Sequence, residues 1–308
     1  MKSANIAYFG TPQFAVYVLE ELEKAGVTPA IVVTQPDRPK GRGLAMTPPP
    51  VKEWALDHDI PVIQPSRLSS HAGESQKLTQ ADADSDMLWN SEWDLFIVAA
   101  YGKIIPHDLL SLPRAGSLNV HPSLLPKYRG PSPIESQILA DDKETGVSIM
   151  VLDDAVDHGP LVAQASITPE EWPLRARVLE ELLAREGGRL MAEVIPLWIG
   201  NATNADDSQE RNPDTLTAEP QKHSLATFTE KIEKEDGLVD LSGDAYQNYL
   251  KFCAYEEWPG TYFFVERNGK RVRVNIIDAS FENGAFTIKR VTPEGKREMD
   301  YQDFVRGS

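Results

Sequence analysis

An asparagine and a histidine lie two positions apart in the segment Asn119-Val120-His121. The apolar run from Ser117 to His121 predicts a strand, and side-chain alternation then places Asn119 and His121 on one face near its carboxyl end, where open α/β sheets bind ligands. A neutral imidazole can transfer protons near pH 7, and an amide can donate a hydrogen bond to a developing oxyanion. The pair is a candidate catalytic site, although such a pair alone is more often structural.

A second candidate group is acidic and follows another apolar run. Residues 152–160 place Asp153, Asp154 and Asp157 in a loop that also contains His158. Asp157 could order a water and favour the protonated form of a neighbouring histidine. A solvated acidic loop explains the same residues equally well, so both interpretations stand at this point.

The elements that must position these residues alternate between strands and helices. Apolar runs predict strands at residues 5–9, 29–34, 95–100, 117–121 and 147–152. Helical spacing is found in Phe14, Val18 and Leu22, and again in residues 175–197, where Val178, Leu179, Leu182 and Leu183 form an apolar stripe and Glu181 pairs with Arg185. This alternation predicts the α/β class, with a Rossmann-like, mainly parallel sheet.

The end of the chain has a different pattern. Apolar periodicity vanishes over residues 201–222, which predicts a linker between a first domain at 1–200 and a second domain at 223–308. Short β-rich runs at 261–266, 271–277 and 285–291 are separated by Gly-containing turns, so the second domain should be a small antiparallel, OB-like β-barrel or sheet. The polar residues 71–90 are interpreted as a solvated surface insertion.

Composition and charge exclude several classes of protein. The chain has 308 residues, 31 Lys and Arg against 47 Asp and Glu, and a net charge of −16, which argues against a nonspecific nucleic-acid binder. A 41% hydrophobic content excludes wholesale disorder. The single cysteine, Cys253, cannot form an internal disulfide. The first residues carry no signal-peptide or transit-peptide pattern, and no apolar run reaches the length of a membrane span, so a cytoplasmic protein is expected.

Longer motifs give the sequence a resemblance to a known family, the methionyl-tRNA formyltransferases. The matching segments are residues 9–15, 33–43, 100–106, 119–130, 144–150, 157–159, 231–236 and 303–307, so the resemblance runs along almost the whole chain. Asn119, His121 and Asp157, with the Ser-Leu-Leu-Pro stretch at 123–126, are shared by enzymes that transfer a formyl group from 10-formyltetrahydrofolate to an amine. The loop at 35–43 is more particular to the tRNA enzymes.

The resemblance implies roles for individual residues. The catalytic residues would be Asn119, His121 and Asp157; the folate pocket would lie against Ser123, Leu124, Leu125, Pro126 and the backbone around Tyr101, Gly102, Ile104 and Ile105; the tRNA contacts would be Arg38, Lys40 and Arg42. Three cations within five residues on a glycine-rich loop are suited to phosphate contacts.

The implied reaction needs no metal. The uncharged α-amino group of initiator methionyl-tRNA attacks the formyl carbon on N10 of the folate, and Asn119 and protonated His121 stabilise the negative oxygen. His121 also passes a proton to the leaving N10, while Asp157 holds His121 in its charged form and orders a water. The partners implied are the tRNA and the folate co-substrate, with no membrane, and a monomer is expected.

Three departures and three alternatives accompany the resemblance. Position 158 is His where the family usually has Thr, Pro122 replaces a small residue, and residues 251–257 lose one cation and gain two acids, which weakens the expectation that the second domain contacts tRNA.

The alternatives are a sugar-nucleotide N-formyltransferase, a formyltransferase acting on glycinamide ribonucleotide, and a catalytically silent tRNA-binding protein. The loop at 36–43 argues against the first, the second domain against the second, and the catalytic trio against the third.

Overall fold

The structure is a computed structural model that describes residues 4–40, 43–69, 80–203, 216–267 and 269–307. Its α-helices are Gln13–Lys24 (α1), Pro50–Asp57 (α2), Gln80–Asn90 (α3), His107–Leu110 (α4), Pro133–Leu139 (α5), Ala176–Thr203 (α6), Ala245–Ala254 (α7) and Tyr301–Arg306 (α8), with 3-10 turns at His223–Leu225 and Lys234–Gly237. Its strands are Ile6–Gly10 (β1), Ile31–Val33 (β2), Arg38–Lys40 (β3), Ala45–Thr47 (β4), Val62–Ile63 (β5), Leu95–Ala99 (β6), Ser117–His121 (β7), Thr145–Val151 (β8), Leu161–Ile167 (β9), Tyr262–Arg267 (β10), Lys270–Glu282 (β11), Ala285–Pro293 (β12) and Met299–Asp300 (β13).

Contacts divide the chain into two compact units. The first contains Met1–Arg129, Gly146–Ser166 and Glu181–Thr227, and the second contains Gly130–Thr145, Ile167–Glu180 and Phe228–Ser308. Within the described residues, no helix combines the length and the apolar character needed to cross a bilayer.

The first unit is built on a seven-stranded sheet with the order β5-β2-β1-β6-β7-β8-β9. Neighbouring strands from β5 to β7 are parallel, whereas β8 is antiparallel to β7. Every residue of β1, β6 and β7 is buried, as is typical of a parallel sheet covered on both faces. The predicted α/β class with a mainly parallel sheet is confirmed.

The apolar positions predicted from helical spacing lie on the buried faces of α1 and α6, with one exception. Phe14, Val18 and Leu22 are all buried on α1, as their spacing predicts. On α6, Leu179 and Leu183 are fully buried, but Val178 is 53% exposed, so the predicted stripe is wrong at that position. Successive residues of a helix are rotated by about 100° around its axis, and this rotation places Val178 outside the buried face.

The polar region before β6 is not simply a solvated insertion. Residues 80–90 form α3, in which Leu88 is fully buried and Ser85 donates a hydrogen bond to the Ser69 carbonyl. Trp93 packs in the same core and donates its indole N–H to the Leu88 carbonyl. The alternating acids make these residues look fully solvated, so the interpretation as a solvated surface insertion is wrong for 80–90. Residues 70–79 lie outside the described part of the chain.

The second unit contains a four-stranded antiparallel sheet with the order β10-β11-β12-β13. Its core includes Phe252, Phe263, Val274 and Val291. One of the predicted Gly-containing turns, Asn283-Gly284, joins β11 to β12, and both residues have a positive φ, 51° and 79°, as the favoured two-residue hairpin turn requires. The predicted small antiparallel β-structure is confirmed.

A buried carboxylate of the first unit depends on one arginine. Arg185 contacts Glu181 at 2.8 Å, the predicted i,i+4 pair, and also Glu20 at 2.9 Å and Glu21 at 3.0 Å. Burial by itself raises the pKa of Glu21, but hydrogen bonds from Lys24 and Arg185 lower it, and the net pKa lies below the ordinary 4.5. The ionised form of Glu21 is therefore stabilised in the fold.

We expect Arg185→Met to lower the free energy of unfolding at pH 7 by about 1–3 kcal/mol, because it leaves the Glu21 carboxylate buried with fewer donors. A carboxyl whose pKa is depressed by folding adds stability above its unfolded pKa and loses it as the pH falls through the folded value. The loss of stability on acidification below about pH 4.5 should therefore be smaller in the variant than in the wild type. Urea unfolding at several pH values measures both effects.

The matched control is Arg290→Met in the second unit. Arg290 contacts Glu298 at 2.5 Å, but both side chains are nearly half exposed, so this change should cost less than about 0.5 kcal/mol. Equal losses in the two variants would contradict the importance given to the buried carboxylate.

Candidate active site

His121 and Asp157 face each other in the first unit. His121 ends β7, and the Nδ1 atom of its ring lies 3.6 Å from Oδ1 of Asp157. Their side chains are 5% and 14% exposed. The two side chains therefore lie in a largely dry environment, where a charge on one interacts strongly with the other.

The other ring nitrogen of His121 fixes the tautomer. Nε2 lies 3.0 Å from the carbonyl oxygen of Tyr128, and because a carbonyl only accepts, Nε2 carries the proton of this hydrogen bond. Nδ1, which faces Asp157, is therefore the nitrogen that can exchange a proton. Thr227 holds the Tyr128 segment, since its Oγ1 accepts from the Tyr128 N–H at 2.8 Å and its carbonyl accepts from the Arg129 N–H at 2.9 Å.

Asn119 lies on the same strand and, by alternation, on the same face as His121. The residue is 8% exposed, and its side-chain amide makes no hydrogen bond to the residues that the structure describes. Asn119 is not among the described residues whose side-chain polar atoms are fully enclosed without a partner, so its amide can be reached by water or a ligand. This amide is available to a polar atom that enters beside His121.

The segment from Ser123 to Pro126 is held by its own polar contacts. The Ser123 hydroxyl donates to the Lys127 carbonyl at 2.7 Å, and the Ser123 carbonyl accepts from the Ser148 hydroxyl at 2.6 Å. The Leu125 N–H donates to the Ser148 hydroxyl at 3.0 Å, and the Leu125 carbonyl accepts from Gln164 at 2.9 Å. What remains for a ligand here is the half-buried apolar surface of Leu124 and Pro126.

The segment after β6, residues 101–105, is the second part of the folate pocket that the resemblance implies. The Tyr101 carbonyl accepts hydrogen bonds from Thr11 and Gln35, both at 2.9 Å, and burial raises the pKa of Tyr101 to about 12. Gly102 is exposed with φ at 77°, and Ile104 is 94% exposed while Ile105 is buried. The segment therefore presents backbone and one apolar side chain to solvent.

Two of the three predicted tRNA contacts lie on a hairpin. Arg38 and Lys40 are exposed on β3, which pairs with β4, and Arg42 lies outside the described residues. Arg38 donates to Gln35 at 2.6 Å. Burial and the neighbouring Arg38 charge together lower the pKa of Lys103, so the hairpin base and the Tyr101 segment share a cluster of positive charge.

A network of hydrogen bonds between partly exposed side chains anchors this hairpin. Lys52 donates to both carboxylate oxygens of Asp37, at 2.8 and 2.9 Å, and to Gln64 at 2.8 Å. Hydrogen bonds from Lys52 and Gln64 hold the pKa of Asp37 below its ordinary value. Asp37 thus stays ionised and ties the start of the hairpin to α2.

The contacts of His158, the position at which the resemblance implies Thr, are with Asp153 and His223. Its Nδ1 lies 2.7 Å from Oδ2 of Asp153, and its ring stacks on His223 with centroids 4.2 Å apart. Within the described residues, no cluster of three or more His, Cys, Asp or Glu side chains is arranged to hold a metal ion.

Two supporting residues of the site were not singled out from the sequence. Ser148 is fully buried in β8 and makes two hydrogen bonds to the 123–125 turn, and its hydroxyl accepts a third from Gln164 of β9. A serine inside the apolar run at 147–152 is a usable signal, because a buried hydroxyl must find partners. Gln164 carries no comparable signal.

Fold and site together define a formyl-group transferase of the α/β class. The model of the Formyl transferase family matches residues 1–195, and the chain belongs to this family. Among its relatives, it is 35% identical to the methionyl-tRNA formyltransferase of Thermus thermophilus, over 98% of this chain and 96% of that protein.

Solved structures share the fold. A methionyl-tRNA formyltransferase from Clostridium thermocellum superposes with a TM-score of 0.56 at 15% identity, covering 94% of this chain and 98% of that one. WlaRD, a sugar 3N-formyl transferase solved with dTDP and 5-N-formyl-THF, superposes with a TM-score of 0.60 at 17% identity, covering 96% and 100% of the two chains. At such identities the likeness extends to the fold alone.

We expect Gly159→Ala to displace the loop that carries Asp157. A Cβ at position 159 would lie 1.9 Å from the Val151 carbonyl oxygen, and backbone cannot yield to it, so stability should fall by about 1–3 kcal/mol. The formyl-transfer rate should fall at least about tenfold because the His121–Asp157 distance changes. Thermal unfolding and steady-state kinetics measure the two effects.

Gly200→Ala is the control for this change. A Cβ at position 200, in α6, meets nothing within 4 Å, so the variant should keep its rate and gain up to about 1 kcal/mol. A Gly159→Ala enzyme with the wild-type rate would contradict the importance of the loop position.

Proposed function

We propose that the protein transfers the formyl group of 10-formyltetrahydrofolate to the α-amino group of initiator methionyl-tRNA, giving N-formylmethionyl-tRNA for translation initiation in the cytoplasm. The observation that carries the proposal is the buried His121–Asp157 pair, at 3.6 Å, with Asn119 on the same strand as His121. Whole-length similarity to a methionyl-tRNA formyltransferase supports the choice of acceptor.

The side chains supply acid–base and electrostatic catalysis. The uncharged amine attacks the formyl carbon, the bond from that carbon to N10 breaks, and one amine proton must reach N10. His121 moves this proton through Nδ1, because its Nε2 proton is donated to the Tyr128 carbonyl. The Asn119 amide donates to the formyl oxygen as negative charge develops there, and Asp157 stabilises the imidazolium that forms between the two transfers.

The folate co-substrate supplies the formyl group. The exposed backbone at Gly102 offers main-chain groups to its heterocycle. Leu124, Pro126 and Ile104 offer apolar surface to its rings. Ser123, whose hydroxyl is already bonded to Lys127, shapes the turn rather than binding the ligand.

Two basic surfaces are proposed to bind the tRNA. Arg38 and Lys40 lie exposed on the anchored hairpin of the first unit. In the sheet of the second unit, Arg271 stacks over Phe264 at 3.8 Å and Arg273 over Tyr262 at 3.5 Å, a pattern suited to phosphates and bases. We accordingly assign residues 1–200 to catalysis, 201–222 to a linker whose last residues pack within the first unit, and 223–308 to tRNA binding.

One assay tests the acceptor. The protein is mixed with 10-formyltetrahydrofolate and either initiator methionyl-tRNA, an amino-sugar nucleotide or glycinamide ribonucleotide, and folate release is followed. We expect turnover with the charged tRNA alone, and we expect His121→Ala to lower kcat by about 10²–10⁴-fold with tRNA affinity nearly unchanged. Turnover with another acceptor and none with the tRNA would overturn the proposal.

The hairpin cations should affect the tRNA and not the chemistry. We expect Lys40→Ala to raise KM for the charged tRNA by about three- to tenfold, with kcat and the folate KM within about twofold of the wild type, and to reduce the salt dependence of the tRNA KM. Arg114→Ala is the control, because Arg114 precedes β7, at the end away from His121, and pairs with Asp94. An equal effect of both changes would remove the hairpin from the tRNA site.

A further inference from the structure

Gln221 contacts the Asp157 loop from outside the predicted site. Its side-chain Nε2 donates to the carbonyl oxygens of Asp157, at 3.0 Å, and Gly159, at 2.8 Å. The residue is 4% exposed, so neither carbonyl is solvated on that side. One amide thus binds both peptides that flank His158.

Arg129 fixes the orientation of that amide. Its Nε and Nη2 donate to Oε1 of Gln221 at 3.1 and 2.6 Å. A guanidinium only donates, so Oε1 must face Arg129 and the amide nitrogen must face the loop. Nη2 also lies 2.9 Å from Nδ1 of His223, which accepts for the same reason. Arg129 itself is 3% exposed.

The same arginine is joined to His121 through the main chain. Arg129 directly follows Tyr128, whose carbonyl accepts the proton of His121 Nε2. The hydrogen bond at one ring nitrogen and the carboxylate at the other therefore depend on two segments that Arg129 and Gln221 connect. Asp157 also has φ at 48°, a conformation that a non-glycine residue keeps only when its surroundings impose it.

We propose that Arg129 and Gln221 are positioning residues, which set the distance between His121 Nδ1 and the Asp157 carboxylate without touching substrate. This inference rests on the proposed function, because it concerns the rate of that reaction. It assigns Gln221 a part in catalysis although the residue lies more than sixty positions after Asp157 in the sequence.

The decisive variant is Gln221→Glu. A carboxylate of the same shape keeps an acceptor for Arg129 but has no N–H for the carbonyls of Asp157 and Gly159, and it repels both. We expect kcat to fall by about ten- to a hundredfold, with KM for the folate and for the charged tRNA within about threefold of the wild type. A role in folding alone would lower the active fraction and leave kcat per folded molecule unchanged.

Gln137→Glu is the matched control. Gln137 is also buried, at 1% exposure, donates to the Pro133 carbonyl at 2.9 Å and accepts from Thr145 at 2.6 Å. It therefore reports the general effect of a buried Gln-to-Glu change in the second unit. We expect a lower Tm and a wild-type kcat per folded molecule.

Arg129→Lys tests the contacts that run from Arg129 through Gln221 to the Asp157 loop. It also provides an independent test if Gln221→Glu does not fold. A lysine reaches at most one of the two bonds to Gln221, so kcat should fall severalfold with both KM values kept. In a double-mutant cycle the two changes should be non-additive, the double variant matching Gln221→Glu alone. Turnover of charged tRNA by the wild type with kcat unaffected by either change would overturn this inference. Absence of turnover in the wild type would instead overturn the proposed function on which it rests.

Discussion

Both ring nitrogens of His121 must be satisfied inside the protein, and much of the first unit follows from that requirement. A 5% exposed imidazole cannot rely on water, so an unpaired nitrogen would cost the full desolvation of a polar group. The Tyr128 carbonyl satisfies Nε2, and the Asp157 carboxylate faces Nδ1. The turn after β7 and the loop after β8 are the segments that bring these two partners to the ring.

The strand topology does not by itself bring the Asp157 carboxylate close to His121. Because β8 is antiparallel to β7, its last residues lie beside the start of β7, and the Leu152 N–H donates to the Ser117 carbonyl. The loop must then return along the length of β7 to bring Asp157 to His121. Contacts from Gln221, together with the absence of a Cβ at Gly159, are what permit and hold this return path.

Sequence patterns predicted the parts of the fold that depend on local burial. The strand Ser117–His121 and the Glu181–Arg185 pair lie where spacing placed them, since alternation and helical periodicity are set by neighbouring residues. The helix at 80–90 and strand β9 were missed because their apolar residues are few or interrupted by polar ones. The Gln221–Asp157 contact was beyond any pattern, because it joins segments 64 positions apart through one side chain and two carbonyls.

The net charge of −16 is compatible with a polyanionic substrate because charge acts locally. At physiological salt the screening length is about 8 Å, so acids on remote surfaces contribute little to the potential at the β3–β4 hairpin. There Arg38 and Lys40 are exposed, and Lys52 neutralises the nearby Asp37 carboxylate instead of leaving it to oppose them. Burial is the main cause of the lowered pKa of Lys103, and the Arg38 charge adds to it. An acidic protein of this kind can therefore attract a phosphate backbone at local basic surfaces such as this hairpin and repel nucleic acid over most of its remaining surface.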